Sequence, residues 1–169
     1  MKNKYGKFIN IIDVKKEYYH IYFNDNKGKE FKRSTINESN KVSKINVIID
    51  YQVESLSYLF SCCECIESIF FKRFNRNNII DMSYLFDGCS SLKELNLSNF
   101  ITNNVTNMWS LFSRCSSLKE INLTNFITNN VTDMSGMFRE CSSLKELNLN
   151  NFDTFNVTNR IICSKDAHH

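Results

Sequence analysis

The chain has no proline, four glycines, three histidines and one tryptophan among its 169 residues. Four glycines leave no Gly-rich phosphate-binding loop, and three histidines cannot be joined convincingly to a serine and an acid in a hydrolytic set. His20 stands in a strand-like stretch between Tyr19 and Ile21 with no evident carboxylate or cysteine partner, so it reads as a packed or solvated side chain, not as a base. Long apolar runs are also missing. No window approaches the roughly 20 residues that span a bilayer. The apolar stretch behind the basic start, Phe8 to Ile12, is broken by Asn10 and stopped by Asp13, so no signal peptide is expected. The missing proline, with abundant Asn and Lys, fits an AT-rich coding sequence and excludes no function. Catalysis has no candidate residues, and no cofactor is expected.

What the sequence does contain is a repeat. At a shift of 26 residues, Met82, Met108 and Met134 align, as do Phe86, Phe112 and Phe138; Cys89, Cys115 and Cys141; and Phe100, Phe126 and Phe152. The same shift aligns Leu92, Leu118 and Leu144, then Leu95, Ile121 and Leu147, then Leu97, Leu123 and Leu149. This L-x-x-L-x-L pattern is the strand signature of a leucine-rich repeat. A worn copy precedes the three clear ones, giving units at about 53–78, 79–104, 105–130 and 131–156. A fifth begins at Val157 and fades at Arg160, and residues 160–169 read as a disordered tail or a truncated repeat. Within a unit, Met82, Leu85 and Phe86 fall at i, i+3 and i+4, the spacing of one helical face, so Asp81 to Phe86 predicts a short helical turn. Lys93 to Leu97 alternates and predicts a half-exposed strand, to which Ile45, Val47 and Ile49 could add one more.

The stretch V-T-N-M-W-S-L-F-S-R-C-S-S-L-K-E-I-N-L-T-N-F, residues 105–126, resembles the BspA-type leucine-rich repeat, a 26-residue repeat found in surface proteins of mycoplasmas and protists. The resemblance covers about residues 53–159. It implies a solenoid with a parallel sheet on one face, a role in adhesion or host and partner contact at the cell surface, and no catalytic residues. One departure is that Asn99, Asn125 and Asn151 come two residues after the last leucine where the commoner repeat has three.

Stacked units would line outward side chains into columns roughly 4.8 Å apart. These are Lys93, Lys119 and Lys145; Glu94, Glu120 and Glu146; and Asn96, Asn122 and Asn148. They are candidate partner contacts, against the plainer reading of a neutral striped face whose ion pairs contribute only about 0 to 1 kcal/mol. Trp109 replaces Ser83 and Ser135 of the flanking units, and Phe155 replaces Asn103 and Asn129. Binding hot spots are enriched in tryptophan, so these two aromatics are the best single-residue candidates for partner contact.

Cys63, Cys89, Cys115 and Cys141 share one repeat position and read as reduced, packed thiols. At the unit spacing their Cβ atoms would lie beyond the roughly 3.5 to 4.5 Å that a disulfide needs. The C-C-x-C cluster Cys62, Cys63, Cys65 lacks both paired C-x-x-C spacing and a fourth ligand, so no metal site is expected. N-V-T sequons recur at Asn104, Asn130 and Asn156 because they belong to the repeat, and others stand at Asn37, Asn96 and Asn122; without a signal peptide, all are expected to stay unmodified.

Residues 1–44 carry 11 Lys and Arg against 5 Asp and Glu, a balance of +6, while the remainder carries 10 against 13. The lysines are scattered and not gathered into a run, so this region reads as a solvated face, with binding of an anionic partner as the alternative and no nucleic-acid role. Ile-, Tyr- and Phe-rich stretches at 7–14 and 18–23, with a possible return at Lys29 to Arg33, predict a β-hairpin or meander capping the repeats.

The expectation is thus an α/β repeat: a leucine-rich-repeat solenoid over residues 45–159, with a parallel β-sheet on one face, short helical turns and an N-terminal β-hairpin cap at 1–44. Its expected function is non-catalytic protein–protein interaction through the exposed columns. The alternative is a structural fragment of a longer array that self-associates end to end. The surface placement implied by the resemblance stands against a cytoplasmic one, because the chain shows no export signal.

Overall fold

The structure is a computed structural model and describes residues 5–11, 13–26, 28–72 and 74–158. The expectation for residues 160–169 therefore lies outside the described residues.

The N-terminal unit is built on two antiparallel strand pairs. Strand β1 (Gly6–Lys7) pairs with β3 (Thr35–Ile36), and β2 (Tyr19–Phe23) pairs with β4 (Ile45–Ile49), with Ile21 opposite Val47. Alternation decides the faces of β2: Tyr19, Ile21 and Phe23 are buried, while His20 and Tyr22 face the other way. A 3₁₀ helix (Asp13–Tyr18) leads into β2. After β2 the chain turns through Asn24 and Asp25, both with positive φ, a conformation these two residues tolerate better than most. The Asn24 side-chain oxygen then accepts the Ser43 N–H at 2.9 Å, tying the turn to the approach of β4.

This arrangement corrects the expected hairpin cap. Among the described residues of 7–14 only Lys7 lies in a strand, and Lys29 to Arg33 contributes only one bridge, Phe31 to Ile21. The main partner of β2 is β4, so Ile45–Ile49 belongs to the N-terminal unit and adds nothing to the repeat. A short-range reading cannot find a partner more than twenty residues downstream.

Arg76 joins the N-terminal unit to the first repeat. Its buried guanidinium donates to the carbonyls of Tyr51 at 2.7 Å and Val53 at 2.6 Å, and stacks over Tyr51 and Phe74. Asn10 donates from the other side to the carbonyls of Tyr58 and Ser61.

From Leu56 onward each unit opens with consecutive turns. The N–H groups of Leu59, Ser61 and Cys63 bond three residues back, to the carbonyls of Leu56, Tyr58 and Phe60. The alternate N–H groups, of Leu56, Tyr58, Phe60 and Cys62, bond across to Asp81, Ser83, Leu85 and Asp87 in the next unit. The pattern recurs from Met82 to Gly88 and from Met108 to Arg114, with the crossing bonds at 2.7–3.0 Å. Two residues per unit carry positive φ to make this possible: Tyr58 and Cys62, Tyr84 and Gly88, Ser110 and Arg114, Gly136 and Glu140. Left-handed backbone costs a non-glycine residue roughly 1 to 2 kcal/mol. Each inter-unit hydrogen bond returns about 0.5 to 1.5 kcal/mol, so four crossing bonds offset two strained residues.

Inside, phenylalanines form a column. Phe60, Phe86, Phe112 and Phe138 stack at centroid distances of 5.9, 5.7 and 5.4 Å. Met82, Met108 and Met134 are fully buried beside them. Asn99, Asn125 and Asn151 hold the opposite corner: Asn125 donates to the carbonyls of Leu97 and Phe100, and Asn151 to those of Leu123 and Phe126. The shortened leucine-to-asparagine spacing thus still delivers an amide to the unit before.

These features overturn the expected leucine-rich-repeat solenoid with its parallel sheet and helical turns. The regular structure is a set of short strand pairs, and no α-helix occurs among the described residues. Among the described residues, parallel pairing is confined to β5 (Ser68–Phe70) with β6 (Glu94–Asn96) and to the single bridges Ser55 to Asp81, Asp81 to Asn107 and Asn107 to Asp133. The helical turns fail because Phe86 N–H leaves its own unit for the Leu111 carbonyl, where a helix would send it to Met82. Beyond β6 no further strand pairing occurs among the described residues, although the Lys145 N–H still reaches the Lys119 carbonyl at 3.2 Å, and each L-x-L segment ends in a local turn. The Asn96 side-chain oxygen takes the N–H of Ser98 and that of Asn122 takes the N–H of Thr124, and both segments line a shallow cleft of about 350 Å³.

Candidate binding surface

The turn edge of the repeat carries an aromatic ladder. Tyr58 and Tyr84 stack nearly parallel with centroids 4.5 Å apart, and Tyr84 meets Trp109 edge-on at 4.7 Å. Tyr58 is 49% and Trp109 43% exposed, with Tyr84 half-buried between them. The backbone sets this spacing: the Tyr58 N–H bonds to the Ser83 carbonyl and the Tyr84 N–H to the Trp109 carbonyl, so each ring is carried by an adjacent unit. The Trp109 N–H is held by the Asn107 side-chain oxygen at 3.0 Å, which fixes the turn that presents the indole. In the fourth unit the ladder stops, with Ser135 and Gly136 standing where unit three has Trp109 and Ser110. The buried Ser135 hydroxyl has no hydrogen-bond partner among the described residues.

Along the same turn edge, the Arg114 guanidinium forks onto the Asp87 carboxylate at 3.1 and 2.5 Å. Asp87 is buried while Arg114 is half exposed, so the pair ties units two and three together and still shows a cation at the surface. That bond to Asp87 raises the Arg114 pKa. Burial pushes the Tyr84 phenol up, which keeps it a neutral hydroxyl at physiological pH.

The residues singled out from sequence are distributed as follows. Trp109 is brought onto the ladder. Phe155 is 85% exposed and makes no ring contact among the described residues. Lys93, Lys119 and Lys145 are exposed, as are Glu94, Glu120 and Glu146. Lys93 is paired with Glu67, its counterpart one unit earlier, at 2.8 Å. Asn96, Asn122 and Asn148 are exposed but structurally engaged, since each side-chain oxygen caps the backbone two residues on. At the same position the first unit has an exposed Phe70. The side chains of Asn104, Asn130 and Asn156 donate to the carbonyls of Asn77, Asn103 and Asn129, giving the recurrent N-V-T a structural use.

Sequence reasoning missed Tyr58 and Tyr84, although their separation equals the repeat length and could have revealed them. It also missed the partners of His20, which lies between Glu30 at 3.2 Å and Asp50 at 3.3 Å. Both carboxylates reach it from sequence-distant segments.

The described cysteines are free thiols. Cys89, Cys115 and Cys141 each donate to a carbonyl of the preceding unit, those of Phe60, Phe86 and Phe112, at 3.0, 3.2 and 3.1 Å. Burial raises the thiol of Cys63, pushes that of Cys89 up to about 12, and holds Cys115 well above its ordinary value. These thiols are neutral packing groups. Among the described residues no group of three or more His, Cys, Asp or Glu is placed to hold a metal ion, and no helix is long and apolar enough to cross a membrane.

Comparison with curated proteins and with solved structures returns no significant match. The profile of a Mycoplasma protein of unknown function, DUF285, matches residues 54–168, more than half of the chain, and the chain belongs to that family.

Proposed function

We propose that this chain is a non-catalytic protein-binding module that engages its partner through the aromatic ladder of Tyr58, Tyr84 and Trp109. The observation that carries the reading is a run of aromatic rings on three successive units, in which half-buried Tyr84 touches both Tyr58 and Trp109 and the two outer rings are exposed. Tyr and Trp supply large contact area at low entropic cost and dominate binding hot spots. Because the rings already touch one another, the surface is organised before a partner arrives, which lowers the cost of association. The exposed Lys and Glu columns serve as a polar rim, where charges tune partner choice more than affinity. The resemblance of the repeat to BspA-type surface proteins supports a setting of cell-surface or host contact for this activity.

Trp109 is the chain's one tryptophan, so its emission reports directly on the surface in question. Partners captured by crosslinking to the whole chain are to be titrated against it. The expected result is a blue shift on binding and at least a roughly 30-fold loss of affinity in Tyr84→Ala/Trp109→Ala, the size of a hot-spot pair worth about 2 kcal/mol. Glu120→Ala/Glu146→Ala on the rim should change affinity less than about 5-fold. Unchanged Trp109 emission, with the aromatic double variant retaining every partner, would remove the ladder from consideration.

A further inference from the structure

The L-x-L side of the repeat carries a surface that the aromatic ladder does not explain. Its centre is the shallow cleft of about 350 Å³ lined by the second and third units, within the roughly 300 to 1,000 Å³ of small-ligand sites. The lining is neutral throughout, and Asn96, Ser98, Asn122 and Thr124 supply polar groups to it. Each asparagine is aimed by its own turn. The Asn96 side-chain oxygen accepts both the N–H and the hydroxyl of Ser98, at 3.0 and 2.7 Å, and that of Asn122 accepts both from Thr124, at 3.0 and 2.8 Å. With the oxygens so engaged, the amide nitrogens are left over, and neither has a hydrogen-bond partner among the described residues. The hydroxyls of Ser98 and Thr124 give their protons to those oxygens and keep their lone pairs. Both units therefore present a fixed N–H donor beside a hydroxyl acceptor. An aromatic ring precedes them in the row: Phe70 is 55% exposed and is paired in register with Asn96 across β5 and β6, on the same outward face.

We propose that this row binds a neutral oligosaccharide, with one pyranose ring laid on Phe70 and the hydroxyls of the following sugars bonded at Asn96 with Ser98 and at Asn122 with Thr124. A sugar hydroxyl accepts and donates at once, which matches a donor beside an acceptor in each of the two units. The C–H face of a pyranose carries the partial positive charge that the face of a phenyl ring attracts. A charged ligand would give up hydration to a lining that holds no counter-charge. An apolar one would cover the amide donors without pairing them. Because the turns hold both amides in place beforehand, little ordering remains to be done on binding. Binding here is independent of the ladder, which lies on the turn edge.

The test screens the whole chain against an array of neutral tetrasaccharides of glucose, galactose and N-acetylglucosamine in α- and β-linkages, then measures the best binder by calorimetry and amide chemical shifts. The expected Kd is below about 1 mM and insensitive to added salt, with shifts at Asn96, Ser98, Asn122 and Thr124. Phe70→Ala should weaken binding at least tenfold. Asn96→Asp/Asn122→Asp keeps the oxygen that caps each turn but replaces the amide donor by an acceptor, and should weaken it as much. Tyr84→Ala/Trp109→Ala should bind the sugar as the unaltered chain does. The shift map on the unaltered chain keeps the test decisive if a variant misfolds. No member of the array bound, shifts confined to the turn edge, a folded aspartate variant that binds unchanged, or a neutral serine–glycine octapeptide held as tightly at the same amides would each overturn the proposal.

Discussion

The buried thiol column should make the protein fragile in alkali, and the effect can be worked from one residue. Burial pushes Cys89 from an ordinary value near 9 up to about 12. Between those values the unfolded chain has released its proton and the folded chain has kept it, so the unfolded state binds fewer protons and stability falls as pH rises. The contribution is whole below pH 9 and is lost progressively toward pH 12. One pKa unit corresponds to about 1.4 kcal/mol, so at pH 10 this one thiol withdraws about 1 kcal/mol. Cys63 and Cys115, raised by the same burial, act in the same direction. Lysines and tyrosines also titrate near pH 10, so the assay is a difference: urea unfolding at pH 8 and pH 10 of the chain and of Cys89→Ala. The variant is less stable at both values because a buried side chain is truncated, yet its loss between pH 8 and pH 10 should be smaller by about 1 kcal/mol. Equal losses in the two proteins would refute the reasoning, for then Cys89 would ionise in the fold as it does in water.

Three further outcomes follow from the geometry. Arg114→Ala should cost about 2 kcal/mol in chemical unfolding, below the usual cost of breaking a fully buried ion pair because Arg114 is half exposed, and Asp87→Asn in the same chain should recover part of it. Gly136→Val should destabilise by about 1 to 2 kcal/mol, since its φ is +62° and a Cβ there would sit 3.2 Å from the Ser110 hydroxyl; Ser110→Gly, at the equivalent left-handed position, should be neutral or stabilising by up to about 1 kcal/mol in the same measurement. Arg76→Met should cost about 3 kcal/mol and expose the segment around Tyr51 and Val53 to limited proteolysis, because the carbonyls of those two residues lose a charged donor.

The 26-residue period was legible because it rests on side chains that must meet the same surroundings in every unit. Met82, Leu85, Phe86, Cys89 and Leu92 were read as inward from spacing, and all are fully buried. The backbone that carries them was not legible, and the reason is a degeneracy. Residues at i, i+3 and i+4 share a face in a helix, but they also share one when i and i+3 close a turn and a left-handed residue resets the chain. Tyr84, Ser110 and Arg114 give no compositional sign of left-handed backbone, which single-residue propensity assigns to Gly and Asn. What stabilises them there is the carbonyl of the next unit, a partner invisible to any local window. The L-x-x-L-x-L segments mislead in the opposite direction. Their alternation is real, but Asn96 and Asn122 cap their own backbones, and the ladder of main-chain bonds moves to the turn edge.

That displacement of the main-chain ladder is also why the candidate surface was only half visible. Trp109 stood out as an irregularity in its column, whereas Tyr58 and Tyr84 sit one position further along the unit and align with Ser110 and Gly136 instead. A search by columns alone therefore separates residues that the fold brings into contact. The indole is placed over its neighbour because the turn edge, where main-chain bonds cross at 2.7–3.0 Å, holds successive units at the spacing aromatic stacking requires. On the L-x-L side the second and third units are joined instead by side chains, as where Asn125 donates to the carbonyls of Leu97 and Phe100. The contiguous run of Tyr58, Tyr84 and Trp109 therefore lies on the turn edge of the repeat.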